Sequence, residues 1–505
     1  MPVEKDPALP LYRQVYEAIR RSILEGELSP ATRLPASRAL AAHLGISRMT
    51  VINAYEQLLA EGYLEGKAGS GTFVAARLPE EFLQAPHQLQ KPLQKMQKVQ
   101  KERDSAARPR KLRLTSYGRS LSRDFDQVLR GNGETSFAAF QHGIPAVDKF
   151  PFDIWAKIYG KVFHAAGGSQ MRRDVFGYGD PAGHFPLRSA IAAHLRSARG
   201  VNCDAEQVII TNGAQQAFDL AGRVLLEPGA PVWVEDPCHA GAKNSFGLSG
   251  AKLVPVAVDK EGFDLDRAVK KNIPAQMIYV TPSHQFPLGV TMSLSRRLSL
   301  LEWAKNNEAW IIEDDYDSEF RYAGRPLASL QGLDKDDRVI YVGTFSKTIY
   351  PALRIGCLVV PKDMVKVFTA ARALSGGNSP AIDQAVLADF IGEGHFARHI
   401  RRMRRLYQER QALLIAEVRK HLTGRLEVEK MDSGMHLIGT PSAPFKAGEI
   451  VESAARAGIK ITAVSSYALT RSNSNDILLG YAGLSEKQIK EGVKKLTTVF
   501  EKLSK

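Results

Sequence analysis

The segment YVGTFSKTIYPALRIG puts Lys347 in a short polar stretch directly after an apolar run. A lysine amine can attack a carbonyl carbon when its surroundings activate it. Thr344 and Ser346 place hydroxyls beside it, and Arg354, seven residues on, offers a guanidinium fork suited to phosphate. A lone lysine in a loop is usually just solvated; the neighbouring hydroxyls and arginine argue for chemistry here. In AWIIEDDYDSEF, Asp314 ends a second apolar run. A carboxylate there either caps the chain or faces a ligand at a strand end. Tyr316, two residues on, shares its side of an extended chain and could reach a ring hydroxyl. TNGAQQAFDLAGRVLL reads as a turn followed by a helix, so the N–H groups of Ala214 and Gln215 would form a positive end that attracts phosphate. His239, in EDPCHAG, either stacks on a ring or is an ordinary hydrogen-bonded histidine. An amine, a carboxylate for a ring nitrogen, a phosphate cradle and a wall for the ring are what a pyridoxal-phosphate (PLP) site requires.

These residues need a scaffold that brings strand ends together. From about residue 136 onward, short apolar runs alternate with helical patterns: VIIT (208–211), PVWVED (231–236), QMIYVT (276–281), AWIIEDD (309–315), RVIYVG (338–343) and IGCLVV (355–360). Such alternation predicts βαβ units and a mainly parallel sheet with helices on both faces.

The first 77 residues have another character. Val15, Ile19, Ile23 and Leu24 recur at helical spacing. RLPASRALAAHLG follows, with Ser37 placed to cap a second helix and Leu40 and Leu44 facing inward. Gly45 marks a tight turn, and Ser47 opens a third helix, SRMTVINAYEQLLAEGYL. Two short helices across a glycine turn are a helix-turn-helix pattern, whose second helix presents its first residues to the major groove. Those residues are Ser47, Arg48, Met49, Thr50 and Asn53. Arginine can bridge guanine and asparagine adenine, while serine and threonine suit phosphates or base edges. Two β-like runs around the tip Gly66–Gly71 complete the pattern as a wing.

Residues 78–115, rich in Gln, Lys and Pro, lack core density and read as a basic linker. The chain has 505 residues and a net charge of +14, which invites a nucleic-acid partner. Yet the surplus does not mark the N-terminal unit, where nine Lys/Arg face eight Asp/Glu; the linker carries nine against four. Cys203, Cys238 and Cys357 are far apart, which argues against a disulfide framework or zinc ribbon. No run is apolar enough to span a bilayer, so a cytoplasmic protein without a membrane partner is expected.

The stretch LPASRALAAHLGISRMTVINAYEQLLAEGYLEGKAGSGTFV resembles the GntR-family winged helix along its whole length. That resemblance implies DNA-contacting roles for Arg38, Arg48, Thr50 and the wing tip near Gly69. Ala31-Thr32 stands where the family commonly has a glycine, so a changed turn is expected there. The segments YGDPAGHFPLR, TNGAQQ, EDPCHAG, TPSHQFPLG, EDDYDSEF, FSKTIYPALRIG and LLGYAG, in that order over 136–503, resemble fold-type I PLP enzymes of the class I aminotransferase kind, with large and small subdomains. By that resemblance Lys347 holds PLP as a Schiff base, Asp314 pairs with the pyridine nitrogen and Tyr316 with the ring oxygen. Ala214, Gln215, Thr344 and Arg354 hold the phosphate, and Tyr178 reaches the phosphate of the neighbouring subunit, which implies a homodimer. The whole chain resembles the MocR/GabR-type regulators, an N-terminal α+β winged helix-turn-helix (9–77) joined through the linker to an α/β PLP domain.

One departure bears on activity. Aminotransferases grip the substrate carboxylate with an arginine near the C-terminus, and the matching position here is about Leu478; Arg471 is nearby but not in that place. The expectation is therefore a PLP-dependent regulator that binds a double-stranded DNA operator and senses an amine, an amino acid or PLP itself. The alternatives are a working aminotransferase with an accessory DNA-binding domain, and a DNA-binding protein whose PLP domain is only a dimerisation scaffold.

Overall fold

The computed structural model describes residues 9–67, 70–76, 78, 114–115, 118–119, 121, 138–165, 174–323, 328–472 and 474–504. Gly69 and most of the 78–115 segment lie outside the described residues. The chain divides into two compact units, Met1–Arg113 and Leu114–Lys505.

The first unit holds helices α1 (Leu11–Leu24), α2 (Ser37–Leu44) and α3 (Arg48–Ala60), then strands β1 (Leu64–Lys67) and β2 (Gly71–Val74), paired antiparallel. Val15, Ile19 and Ile23 of α1 pack with Leu40 of α2 and with Val51, Ala54 and Leu58 of α3. Each of these spacings repeats one helical face, so the three helices close over a single core. Gly45 ends α2 at φ +65, a left-handed conformation that a side chain disfavours. Ser47 caps α3, accepting the Met49 N–H at 3.2 Å.

Two expectations need correcting. Ser37 does not cap α2: the cap position is Ala36, and the Ser37 hydroxyl accepts instead from Arg48 Nε at 3.4 Å. Nor does the turn before Arg33 abandon the conformation that glycine favours. Ala31 takes it, at φ +62. The reason is the wing: Ala31 donates to Val74 O, Val74 donates to Thr32 O, and Leu34 donates to Thr72 O, so residues 31–34 pair along β2.

The second unit is built on an eight-stranded sheet in the order β3-β10-β9-β8-β7-β4-β5-β6. Its strands are β3 (Val208–Thr211), β4 (Pro231–Asp236), β5 (Lys252–Asp259), β6 (Gly262–Phe263), β7 (Met277–Val280), β8 (Trp310–Asp315), β9 (Val339–Thr344) and β10 (Gly356–Val359). Strands β9, β8, β7, β4 and β5 run parallel, and β10 lies antiparallel between β3 and β9. Side chains alternate faces along each strand. Met277, Tyr279 and Ile312 join one core with Phe218 of α4 (Ala214–Leu225) and Phe246 of α5 (Ala240–Leu248). Ile278, Val280 and Ile311 join the opposite core with Leu300 of α6 (Leu294–Asn306). Helices therefore cover both faces, which is why the central strands are apolar on both.

A second sheet, β11-β12-β14-β13, is antiparallel throughout: β11 (Leu426–Val428), β12 (His436–Pro441), β13 (Thr462–Ala463) and β14 (Ile477–Gly480). The long helix α7 (His395–Leu422) packs with it, together with α8 (Ala447–Arg456) and α9 (Glu486–Leu503). This is a fold-type I arrangement, with a large mixed sheet and a smaller antiparallel one. Among the described residues no helix is long and apolar enough to cross a membrane.

Candidate functional site

Alternation on β8 decides which carboxylate faces the site. Asp314 continues the face of Ile312, and Tyr279 of β7 lies on that same face. The Tyr279 hydroxyl donates to Asp314 Oδ2 at 2.7 Å. Asp314 Oδ1 is buried with no hydrogen-bond partner. Burial pushes the Asp314 carboxyl up to about 7, against the opposing pull of the Tyr279 hydrogen bond. The flanking Asp315 points the other way, to Arg199 Nε and the Tyr341 hydroxyl, both at 2.7 Å. Glu313, on that side too, accepts the backbone N–H groups of Leu330 and Gln331.

Lys347 follows β9. Its Nζ donates to the Gly143 carbonyl at 3.0 Å. Gly143 sits at φ +73, a conformation that favours glycine, and a Cβ there would stand 2.7 Å from that Nζ and push it aside. Burial lowers the Lys347 ammonium from its ordinary value, with Arg354 adding to this and Asp317 and Asp314 opposing it. A lowered lysine keeps more of the free amine, the nucleophilic form.

A candidate phosphate cradle lies at the start of α4. Gly213 precedes it at φ +78, freeing the first helical N–H groups at Ala214 and Gln215. Arg354 lies over this turn: its Nη2 donates to Asn212 O at 3.0 Å. It does so from φ +51, a strained conformation that costs on the order of 1–3 kcal/mol and concentrates at binding sites. Thr344 Oγ1 accepts the Ser346 N–H, and the Ser346 hydroxyl is buried without a partner. The Gln215 side chain turns away, to Gly241 O and Ser245 Oγ.

His239 is not an ordinary satisfied histidine, since its Nδ1 is buried and unpartnered. Burial, then Lys347 and Lys243, push it down to about 4, so it is neutral. The Tyr316 hydroxyl lies 2.9 Å from His284 Nδ1, which also faces Asp317 at 3.0 Å. Tyr178 is 93% exposed, apart from this cluster's buried groups.

In the first unit, Arg38, Ser47, Arg48, Met49 and Asn53 are exposed, and Thr50 is half-buried. The inward face of α3 is anchored by Tyr55, whose hydroxyl donates to Pro35 O at 2.9 Å. Lys67 lies over the Phe73 ring at 5.2 Å.

The family model described as bacterial regulatory proteins, gntR family, matches residues 11–74, and that described as aminotransferase class I and II matches residues 156–496. Over 99% of its length, and 95% of the other's, the chain is 40% identical to the "Probable rhizopine catabolism regulatory protein MocR" of Rhizobium meliloti. It is 30% identical to the "HTH-type pyridoxine biosynthesis transcriptional regulator PdxR" of Corynebacterium glutamicum, over 96% of this chain and 95% of that one. This chain belongs to the MocR-type transcription regulators. Its second unit also resembles the solved kynurenine aminotransferase of Pyrococcus horikoshii in complex with PMP, with a TM-score of 0.67 and 26% identity over 80% of this chain and 98% of that one.

In this MocR-type regulator, further residues that spacing alone does not mark join the cluster. Tyr279 was hidden inside an apolar strand run, where a tyrosine reads as core. Phe286 is the hub of the wall, with Tyr467 at 5.0 Å, His142 and His239 at 5.8 Å, and Tyr316 and His436 at 5.9 Å between ring centroids. The phrase TPSHQFPLG was the signal that could have located His284 and Phe286. Leu478 is fully buried beside Phe286 and Val464, and Arg471 is exposed.

Proposed function

We propose that this regulator holds PLP at Lys347 and uses the loaded site to sense a small molecule, with the response passed to the winged helix that reads operator DNA. The observation that carries the reading is Asp314 Oδ1, a buried carboxylate oxygen with no partner, near the half-buried Lys347. A buried acceptor left unpaired costs about 1–3 kcal/mol, and a protonated pyridine nitrogen would satisfy it.

The donor set fits the group. Asp314, oriented by Tyr279, would keep the ring nitrogen protonated. Ala214 and Gln215 N–H, Thr344, Ser346 and Arg354 would hold the phosphate, where helix dipole and guanidinium add. His239, neutral and flanked by Phe286, would lie against the ring. Tyr316 would turn from His284 toward the ring oxygen. PLP, when bound, supplies an aldehyde that captures primary amines and a ring that withdraws electrons. Amines, amino acids and free PLP are the ligand classes such a site takes.

A homodimer is supported by surface aromatics. Tyr178 is 93% exposed, Phe163 and Phe176 are 58% and 53% exposed, and Leu374 is 91% exposed. Phe163 and Phe176 meet edge to face at 5.6 Å between ring centroids, so they form a local apolar patch of the kind that marks contact surfaces. Tyr178 would then serve the partner's phosphate site. In the DNA head, Arg38, Arg48, Thr50, Asn53 and Ser47 are the groups proposed to meet phosphates and base edges. A regulator that reads operator DNA would work in the cytoplasm.

The test uses full-length protein purified with PLP. It should show the visible absorbance band of the lysine-bound cofactor, and Lys347→Ala should lose that band while still binding DNA. Persistence of the band in Lys347→Ala would contradict the assignment.

A further inference from the structure

We propose that α7 carries a second DNA contact, an exposed row of arginines that grips the phosphate backbone without reading sequence. The inference rests on the reading of this chain as a DNA-binding regulator and adds a surface outside the winged helix.

The winged helix is short of cations. Neutralising phosphates with Lys and Arg supplies the sequence-independent part of DNA affinity. Residues 1–77 carry nine Lys/Arg against eight Asp/Glu, whereas residues 114–505 carry 50 against 42. Within that second surplus, α7 concentrates like charge on one face. Arg398, Arg401, Arg402 and Arg405 are all exposed, at the i, i+3, i+4, i+7 spacing that lines up one side of a helix. Phe396, Ile400, Met403 and Tyr407, on the other side, are sunk in the core, so the row is held outward.

Nothing inside the fold accounts for this pattern. Four like charges at that spacing repel one another. They also crowd the N-terminal half of α7, toward the positive end of the helix dipole, and the first turn holds no acidic residue. The row therefore costs the helix stability, and an anion outside the protein would offset both effects. Neighbouring carboxylates are engaged elsewhere: Glu393 pairs with Lys161 at 2.8 Å and Asp148 with Lys149 at 3.2 Å. Arg398 Nη2 donates to the Glu393 carbonyl at 3.0 Å, and Arg402 Nη2 to the Lys149 carbonyl. Arg401 and Arg405 make no hydrogen bond or ion pair with any described residue.

The dimensions suit a DNA strand. At about 1.5 Å per residue the row is about 10 Å long, and phosphates recur about every 3.4 Å of axis on each strand, so about three face it. Arginine at all four positions suits bidentate phosphate contact. A bilayer surface is a poorer match, because a helix lying in a membrane exposes large apolar side chains. The exposed residues beside this row are Ala397, Gln408 and Glu409.

The experiment uses full-length protein purified with PLP, a labelled duplex from its own promoter region and a shuffled duplex, over about 50 to 200 mM salt. Arg401→Ala/Arg405→Ala should weaken binding to both duplexes about tenfold or more at about 0.1 M salt. It should also lower the slope of log affinity against log salt by about 1.8 per protomer engaged, two phosphates at about 0.9 each. Arg48→Ala should instead weaken the promoter duplex more than the shuffled one. Lys260→Ala/Lys366→Ala removes two charges from other exposed positions and should leave the slope unchanged. An unchanged slope in a folded Arg401→Ala/Arg405→Ala protein, or an equal fall in the lysine control, overturns the proposal. A native protein that binds neither duplex overturns the DNA reading itself, so the two failures are told apart.

Discussion

Asp314 is held between two protonation states. Buried beside Tyr279 it is pushed up to about 7, so near neutral pH the empty site keeps much of it protonated. Its folded value lies above the ordinary carboxyl range. Stability from the protonated form is therefore complete below about pH 4 and is lost as pH rises through about 7. A pyridinium partner would favour the ionised form and remove that loss. PLP should thus raise the melting temperature more at pH 8 than at pH 5, and Asp314→Asn should flatten the difference. Thermal scans of PLP-free and PLP-loaded protein measure this. A PLP increment that is the same at both pH values, or is unchanged by Asp314→Asn, would count against the role given to Asp314. Lys347 and Asp314 stood out in the sequence because one follows and the other closes an apolar strand run, each beside distinctive polar neighbours. Tyr279 and Phe286 were not, because they meet the site only through contacts made by the folded sheet: Tyr279 is 35 positions from its partner Asp314. Tyr316 was singled out by its place two residues after Asp314, but its bond to His284 could not be read from spacing.

At the scale of elements, periodicity carried most of the information. The runs 208–211 and 231–236 coincide with β3 and β4, since a buried strand is apolar on both faces and bounded by turns. The antiparallel direction of β10 is set by its neighbours on either side, which a run of apolar residues does not reveal. Capping was harder: a serine one residue inside α2 looks like a cap until the backbone is seen. The Ala31 turn gives this scale its prediction. The left-handed conformation costs an alanine about 1 kcal/mol, and glycine returns part of that gain as chain entropy. Ala31→Gly should stabilise the winged helix by about 0.5 kcal/mol, seen as a rise of about 3 °C in its calorimetric transition. A lowered transition would show that the turn is not strained.

At the scale of the whole molecule, the two units bring different chemistries to one chain. The DNA head has near-balanced charge and exposes Arg48, Met49 and Asn53 of α3, and the second unit holds Asp314, Lys347 and Arg354, the groups proposed to take the cofactor. That pairing is what a sensor needs: the ligand must favour one state of the protein over another, and DNA affinity must differ between those states. The most direct measurement is the affinity of the full-length, PLP-loaded protein for a duplex from its own promoter region, with and without an amine or amino acid that shifts the cofactor's absorbance, beside the same measurement on Lys347→Ala. The account predicts that this ligand changes operator affinity or footprint in the native protein and leaves Lys347→Ala unaffected. Identical DNA binding with and without the ligand in both proteins would contradict it.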